Sequence, residues 1–271
     1  MKTITDLARA RRELHPIVMI AAYDALMARL VAASEADAIL VGDSVAMVVH
    51  GYPSTVHATL DMMCTHVAAV RRGAPDFLVV ADLPFLSVRR GLVAATDAAG
   101  ALLQAGATAV KLEGVAGHED VIAHLVASGI PVMGHLGLTP QSVNQLGGYR
   151  VQGRGAADAE RLRGEAKKLE ALGAFALVLE CVPALLATQI TAEGAIPTIG
   201  IGAGAGTSCQ VLVLSDLLGL DAAFHPRFVR RYAEGLPGVT MRPQTFVKDL
   251  IVEAGAPPRV TGVRLEDGTE L

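Results

Sequence analysis

The sequence predicts an α/β fold built as one closed (β/α)8 barrel, a TIM barrel, with an N-terminal helix and extra C-terminal helices. Three observations predict it. Short apolar runs end, one after another, in polar residues: Ile39 to Val41 runs through Gly42 into Asp43, and Phe77 to Ala81 runs into Asp82. Ala109-Val110 runs into Lys111, Leu112 and Glu113, Pro131 to Gly134 into His135, and Ala176 to Leu179 into Glu180. Such runs are buried strands of a parallel sheet covered on both faces. Glycine-bearing stops then precede the strands, at Gly106, Gly129, Gly173 and Gly194. Each is expected in the left-handed position that ends a helix. Finally, no two-residue hairpin signal joins neighbouring strands, so the alternation is βαβα. About eight strands in a chain of 271 residues fit one barrel domain over 1–271, with the tail 256–271 irregular. A doubly wound open sheet is the alternative, and it places site residues on fewer strands.

Taken in order, Thr3 to Leu14 reads as a short polar helix at the base of the barrel. Ile17 to Tyr23 is the first strand, and Asp24 is placed to cap a helix over Ala25 to Glu35. The loop from Val45 to Ala58 carries His50 and His57 and is long enough to suggest a functional role. A helix follows from Leu60 to Arg72 and stops at Gly73-Ala74-Pro75. Between the seventh strand and the eighth, Val211 to Leu214, the run Gly202 to Gly206 leaves little room for a helix. That run reads either as a phosphate cradle or as closely packed backbone. Helices are expected over Arg227 to Glu234 and Gln244 to Ala254. Ala256-Pro257-Pro258 then ends regular structure, with an exposed or partner-packed tail to Leu271.

Composition excludes several classes. Mean hydropathy is +0.44, yet no uninterrupted apolar run reaches the roughly 18 residues of a membrane span. Net charge is −4 with both signs dispersed, so there is no basic footprint for nucleic acid. The N-terminal Lys2, Arg9, Arg11 and Arg12 are followed by no apolar leader, so a cytoplasmic protein is expected. Three scattered cysteines, Cys64, Cys181 and Cys209, fit a reducing compartment. Cys181, next to Glu180, is a neighbour of the site or simply a small buried hydrophobe.

Polar residues that end successive strands of a parallel barrel converge at one mouth. Asp43 and Asp82 are hard oxygen ligands there, and two carboxylates plus waters suit Mg²⁺. Glu113 supplies a third carboxylate, and Lys111, two residues earlier on the same strand, points the same way. Lys111 would meet a substrate carboxylate or a developing enolate oxygen, or neutralise the acids. Glu180 follows four apolar residues, and desolvation there favours a general base. Ser44 and His135 are expected to contact substrate, although a lone buried histidine also reads as structural. Metal, lysine and carboxylate base together imply enolisation of a 2-oxo acid.

These residues resemble the ketopantoate hydroxymethyltransferase family. The resemblance runs through Ala22-Tyr23-Asp24, Leu40 to Ser44, Ala69 to Pro75, Ala81 to Phe85, Val110 to Gly114, Gly134 to Ser142, Gly147 to Tyr149, Val151 to Arg154, Leu179 to Pro183 and Ile199 to Gly204. It covers most of the chain to about Tyr232. The run Gly134 to Ser142 is the most specific. It implies a Mg²⁺-dependent barrel, often a homodecamer of two pentameric rings. The implied reaction uses 5,10-methylenetetrahydrofolate to hydroxymethylate 3-methyl-2-oxobutanoate, the first committed step to pantothenate. By position, Asp43 and Asp82 would hold the metal, and Glu113 would complete or support its shell. Ser44, Asp82 and Lys111 would touch the keto acid, and Glu180 would be the base. One departure stands out: Ser208-Cys209-Gln210 occupies the place of the family's Asp-Gly-Gln, which implies altered loop geometry or folate handling. Two other readings are a Mg²⁺-dependent lyase of the phosphoenolpyruvate mutase and isocitrate lyase type, and a non-catalytic binding barrel. The first usually carries a Lys-Cys-Gly-His loop that this sequence lacks.

Overall fold

Eight parallel strands pair in sequence order, and β8 returns to β1, closing the sheet. The computed structural model of the chain describes residues 3–221, 228–232, 247–253 and 259–265. The order begins α1 (Ile4–Arg12), β1 (Ile17–Ala21), α2 (Ala25–Ala32), β2 (Ala38–Val41), α3 (Val45–Val48), α4 (Leu60–Gly73), β3 (Leu78–Asp82) and α5 (Leu92–Ala105). It continues with β4 (Ala109–Glu113), α6 (Glu119–Ala127), β5 (Val132–Gly137), α7 (Val143–Leu146), α8 (Ala156–Ala171), β6 (Ala176–Glu180) and α9 (Ala184–Glu193). The barrel ends with β7 (Thr198–Ile201) and β8 (Cys209–Val213), followed by α10 (Leu214–Leu217). The chain divides into two compact units, Met1–Ala233 and Glu234–Leu271, and the barrel lies in the first.

The local reasons are visible in the sequence. Asp24 accepts a hydrogen bond from the Met27 amide at 2.7 Å and starts α2. Thr3 and Asp6 form a reciprocal cap on α1. In β2 and β3 every residue is buried, because a parallel strand has helices on one face and the barrel interior on the other. Gly106, Gly129 and Gly173 adopt the expected positive φ. Gly194 does not: its backbone is extended, at φ −86°, and its amide still bonds back to Ile190. There is no helix between β7 and β8. The glycine run there packs its backbone on α9, where a Cβ on Gly206 would collide with Thr188. This is close packing, the second of the two readings of that run.

The base of the barrel is closed by one arginine and a set of hydroxyl contacts. The Arg11 guanidinium caps the carbonyls of Thr191, Gly194 and Ala195 at the end of α9. Thr191 and Thr198 hydroxyls lie 2.7 Å apart, and the Ser208 amide donates to Thr198 Oγ1 at 3.2 Å. Cys209 pairs with Ile17, the first residue of β1. Ser208-Cys209 therefore sits at the start of β8, at the opposite end of the strands from the polar run-outs.

The C-terminal expectations need correction. Residues 228–232, the described part of the helix expected over 227–234, are not helical. The helix expected over 244–254 is instead a strand in its described part, β9 (Val247–Glu253). It pairs antiparallel with β10 (Arg259–Leu265), inside the tail expected to be irregular. β-Branched Val247, Ile251 and Val252 favour the strand, and Pro257-Pro258 falls in the connection between two strands rather than at the end of structure.

Candidate active site

The barrel register brings the run-out residues of β2 to β6 side by side. Asp82 is opposite Lys111, Glu113 opposite His135, and Gly137 opposite Glu180. Asp43, Asp82, Lys111 and His135 are buried, at 4%, 4%, 4% and 1% exposure. Because β2 is short, Asp43 lies two residues beyond it, and its backbone amide donates to Asp82 Oδ2 at 3.0 Å. At Gly42 a Cβ would stand 2.8 Å from Ser44 Oγ, so the glycine leaves that hydroxyl its place. At Gly137, φ is +95° and a Cβ would collide with the Glu180 carbonyl oxygen, so only glycine lets β5 and β6 meet here.

The charges form one chain. Lys111 Nζ is 3.0 Å from Asp82 Oδ1 and 3.3 Å from His135 Nδ1. His135 Nδ1 is also 3.5 Å from Glu113 Oε1, and its Nε2 is 3.2 Å from Glu180 Oε2. Four carboxylates, Asp43, Asp82, Glu113 and Glu180, thus share one ammonium and one imidazole. Burial, then the charges of Asp82 and Glu113, push the Asp43 carboxyl well above the usual range. Burial presses Lys111 down, but Asp82, Glu113 and Asp43 outweigh it and hold the ammonium above its ordinary value. At His135, burial and Lys111 act downward. Contacts with Glu113 and Glu180 overcome them and raise it to about 9, so the ring is cationic at neutral pH.

Ser44 Oγ lies 2.8 Å from the hydroxyl of Tyr23, and burial keeps that phenol protonated. Two contacts were not foreseen. Tyr23, two residues past the end of β1, anchors Ser44. The Gln141 side chain reaches Asp43 Oδ2 at 2.8 Å and the Leu83 carbonyl at 2.9 Å, while its amide donates to Glu113 Oε2 at 3.0 Å. The only sequence signal for Gln141 was its place in the Gly134 to Ser142 run. The histidines around the loop after Ser44 pair among themselves and with nearby backbone. His50 Nε2 meets His66 Nε2 at 2.9 Å, His66 Nδ1 meets the Tyr23 carbonyl at 2.6 Å, and His57 stacks on Tyr52. Cys181 takes a left-handed φ of +46°, bending the chain just after Glu180. Burial and Glu180 push its thiol to about 11, which leaves it an unreactive neighbour of the site.

Comparison with known proteins now bears on this geometry. A family profile described as Ketopantoate hydroxymethyltransferase matches residues 1–256. The chain belongs to the ketopantoate hydroxymethyltransferase family. A 3-methyl-2-oxobutanoate hydroxymethyltransferase of Bdellovibrio bacteriovorus is 53% identical over 235 residues, 87% of this chain and 89% of that relative. One from Francisella tularensis is 46% identical over 249 residues, covering 92% and 94%. Among solved structures, a 2,3-dimethylmalate lyase of the PEP mutase/isocitrate lyase superfamily aligns with TM-score 0.56 at 20% identity, over 78% of this chain and 81% of that one. A phosphonopyruvate hydrolase aligns with TM-score 0.61 at 14% identity, over 79% and 80%. At those identities the structural likeness shows the barrel fold alone. Family and relatives support an enzyme that carries out the hydroxymethyl-transfer step of pantothenate biosynthesis. Among the described residues, no helix is long and apolar enough to cross a membrane.

Proposed function

We propose that this barrel transfers a hydroxymethyl group from 5,10-methylenetetrahydrofolate to 3-methyl-2-oxobutanoate, with Mg²⁺ held by Asp43 and Asp82 and with Glu180 as the base. The observation that carries the reading is the surplus of buried carboxylates at the mouth. Asp43 and Asp82 touch, yet Lys111 and His135 balance only part of the four acids. Asp82 Oδ1 is buried and accepts no hydrogen bond of good geometry, although Lys111 stands near it. A divalent cation fits such a deficit, and oxygen donors are what Mg²⁺ prefers. Among the described residues, no three of His, Cys, Asp or Glu are grouped so as to hold a metal ion by themselves. Glu113 has its two oxygens toward His135 and Gln141, which supports an outer role rather than a third direct ligand.

When bound, Mg²⁺ would polarise the ketone and make the neighbouring C–H acidic. The chain's own groups do the rest. Ser44, fixed by Tyr23, and Asp82, Lys111 and His135 contact the keto acid, and the Lys111 ammonium faces the charge that develops on its oxygen. Glu180 takes the C3 proton. Its Oε2 lies 3.2 Å from His135 Nε2, a charge contact without hydrogen-bond geometry. Water cleaves the two C–N bonds of the methylene bridge, leaving tetrahydrofolate and formaldehyde. The electron pair at C3 then forms the bond to the formaldehyde carbon, and the resulting alkoxide takes back the proton held by Glu180 to become the hydroxymethyl group. We further propose a cytoplasmic homo-oligomer, a decamer on the family resemblance. Exposed Leu26 and Leu30, one turn apart on α2, supply apolar surface of the kind subunit contacts use.

The test is loss of the base. Glu180→Gln keeps the shape and removes the acceptor, and a missing general base typically costs about 10²–10⁴-fold in rate. The variant should bind the keto acid normally and lose deuterium exchange at C3 without folate. Exchange at the parent rate with failed transfer would take the base role away from Glu180.

A further inference from the structure

We infer that Gln141 is a positioning residue, which selects the oxygen of Asp43 presented to a divalent cation; the inference rests on the reading of Asp43 as a ligand. The geometry is a three-point brace. One side-chain amide nitrogen reaches both Asp43 Oδ2 at 2.8 Å and the Leu83 carbonyl at 2.9 Å. Both partners are pure acceptors, so the amide orientation is fixed: nitrogen faces them, and its two hydrogens are committed. The Gln141 backbone amide meanwhile holds Glu113 Oε2 at 3.0 Å. Three consecutive strand ends, those of β2, β3 and β4, are therefore tied to the loop after β5 by one residue.

The consequence follows from carboxylate chemistry. A buried aspartate with no neighbour to orient it can rotate, and either oxygen can face the cation. The hydrogen bond to Oδ2 removes that freedom and leaves Oδ1 to the ligand. It also offsets the repulsion between Asp43 and its acidic neighbours without adding a positive charge that would compete with the cation. A lysine could not serve in this place, because a second ammonium beside Lys111 would cancel the charge deficit on which cation binding depends. Partners that orient metal ligands in this way are worth about 10–100-fold in metal affinity.

The experiment is calorimetric titration of Mn²⁺ and Mg²⁺ into the metal-free full chain, beside its thermal midpoint. Gln141→Met keeps the length and loses the donors. Gln141→Asn keeps the donors, falls short by one methylene, and is the gentler variant should the first not fold. Asp43→Asn is the control on the underlying reading. The expected result is about 10–100-fold weaker cation binding in Gln141→Met and a smaller loss in Gln141→Asn, with KM for the keto acid rising in step at low Mg²⁺ and recovering at saturating Mg²⁺. If Asp43→Asn weakens the cation and neither Gln141 variant does, the positioning role is overturned and the metal site stands. If Asp43→Asn binds the cation as tightly as the parent, the metal-site reading falls and takes this inference with it.

Discussion

The two ends of the barrel are built from the same strands and treat buried polarity in opposite ways. At the base, hydroxyls pair with hydroxyls and one arginine caps three carbonyls, as at Thr191, Thr198, Ser208 and Arg11. At the mouth, four carboxylates crowd around Lys111 and His135 with negative charge to spare. The base pairs most of its polar groups within the chain, with Arg11 Nε the exception; the mouth leaves carboxylates in excess of the cations beside them. A sequence change therefore means different things at each end. The Ser208-Cys209 departure from the family lies at the base, bonded to Thr198 and paired with Ile17. That placement locates it away from the charged mouth and makes it a matter of β8 packing.

The comparison can be broken most forcefully at Lys111. Lys111→Met leaves the acids without their ammonium, and breaking a buried pair costs about 3–5 kcal/mol. Urea unfolding of the metal-free protein should show that loss, and added Mg²⁺ should recover part of it. A loss under about 1 kcal/mol would mean that the cluster is solvated rather than buried.

A pH test comes next. His135 is raised from its ordinary 6.5 to about 9 by Glu113 and Glu180 against burial and Lys111. The folded state then holds a proton that the unfolded chain releases, so the stabilisation is full below about pH 6.5 and fades as pH rises through about 9. His135→Gln should flatten the stability profile of the metal-free protein between those values. A profile as steep as the parent's would place the titrating group elsewhere.

The smallest effect is expected at the base. Thr198→Val removes three neutral hydrogen bonds of the Thr198 hydroxyl, to Thr191 Oγ1, to Ser208 Oγ and from the Ser208 amide, worth about 0.5–1.5 kcal/mol each, and should leave kcat within about twofold. A tenfold fall in kcat would mean that the two ends are coupled through β7.

Sequence reading reached the mouth because its residues announce themselves locally. Each follows a run of buried apolar residues, and strand register alone then aligns Asp82 with Lys111 and Glu113 with His135. Gln141 was not legible, because its partner Asp43 is 98 positions away and a loop glutamine carries no periodicity. Tyr23 was read as the last residue of the first strand, which ends two residues earlier at Ala21, and not as the anchor of Ser44, since a tyrosine near a strand end also suits a core. The β9–β10 hairpin was misread because Phe246, Leu250 and Ile251 fit a helical spacing as well as an extended one, and the partner strand that decides between them lies beyond a proline pair.

The most direct test of the account is deuterium exchange at C3 of 3-methyl-2-oxobutanoate in D₂O, with Mg²⁺ and without folate, in two variants side by side. One is Glu180→Gln at the mouth; the other is the double substitution Ser208→Asp with Cys209→Gly at the base. The account predicts exchange within about twofold of the parent in the base variant, and a fall of about 10²-fold or more in the mouth variant. Equal rates in the two variants, or a base variant as slow as Glu180→Gln, would contradict it.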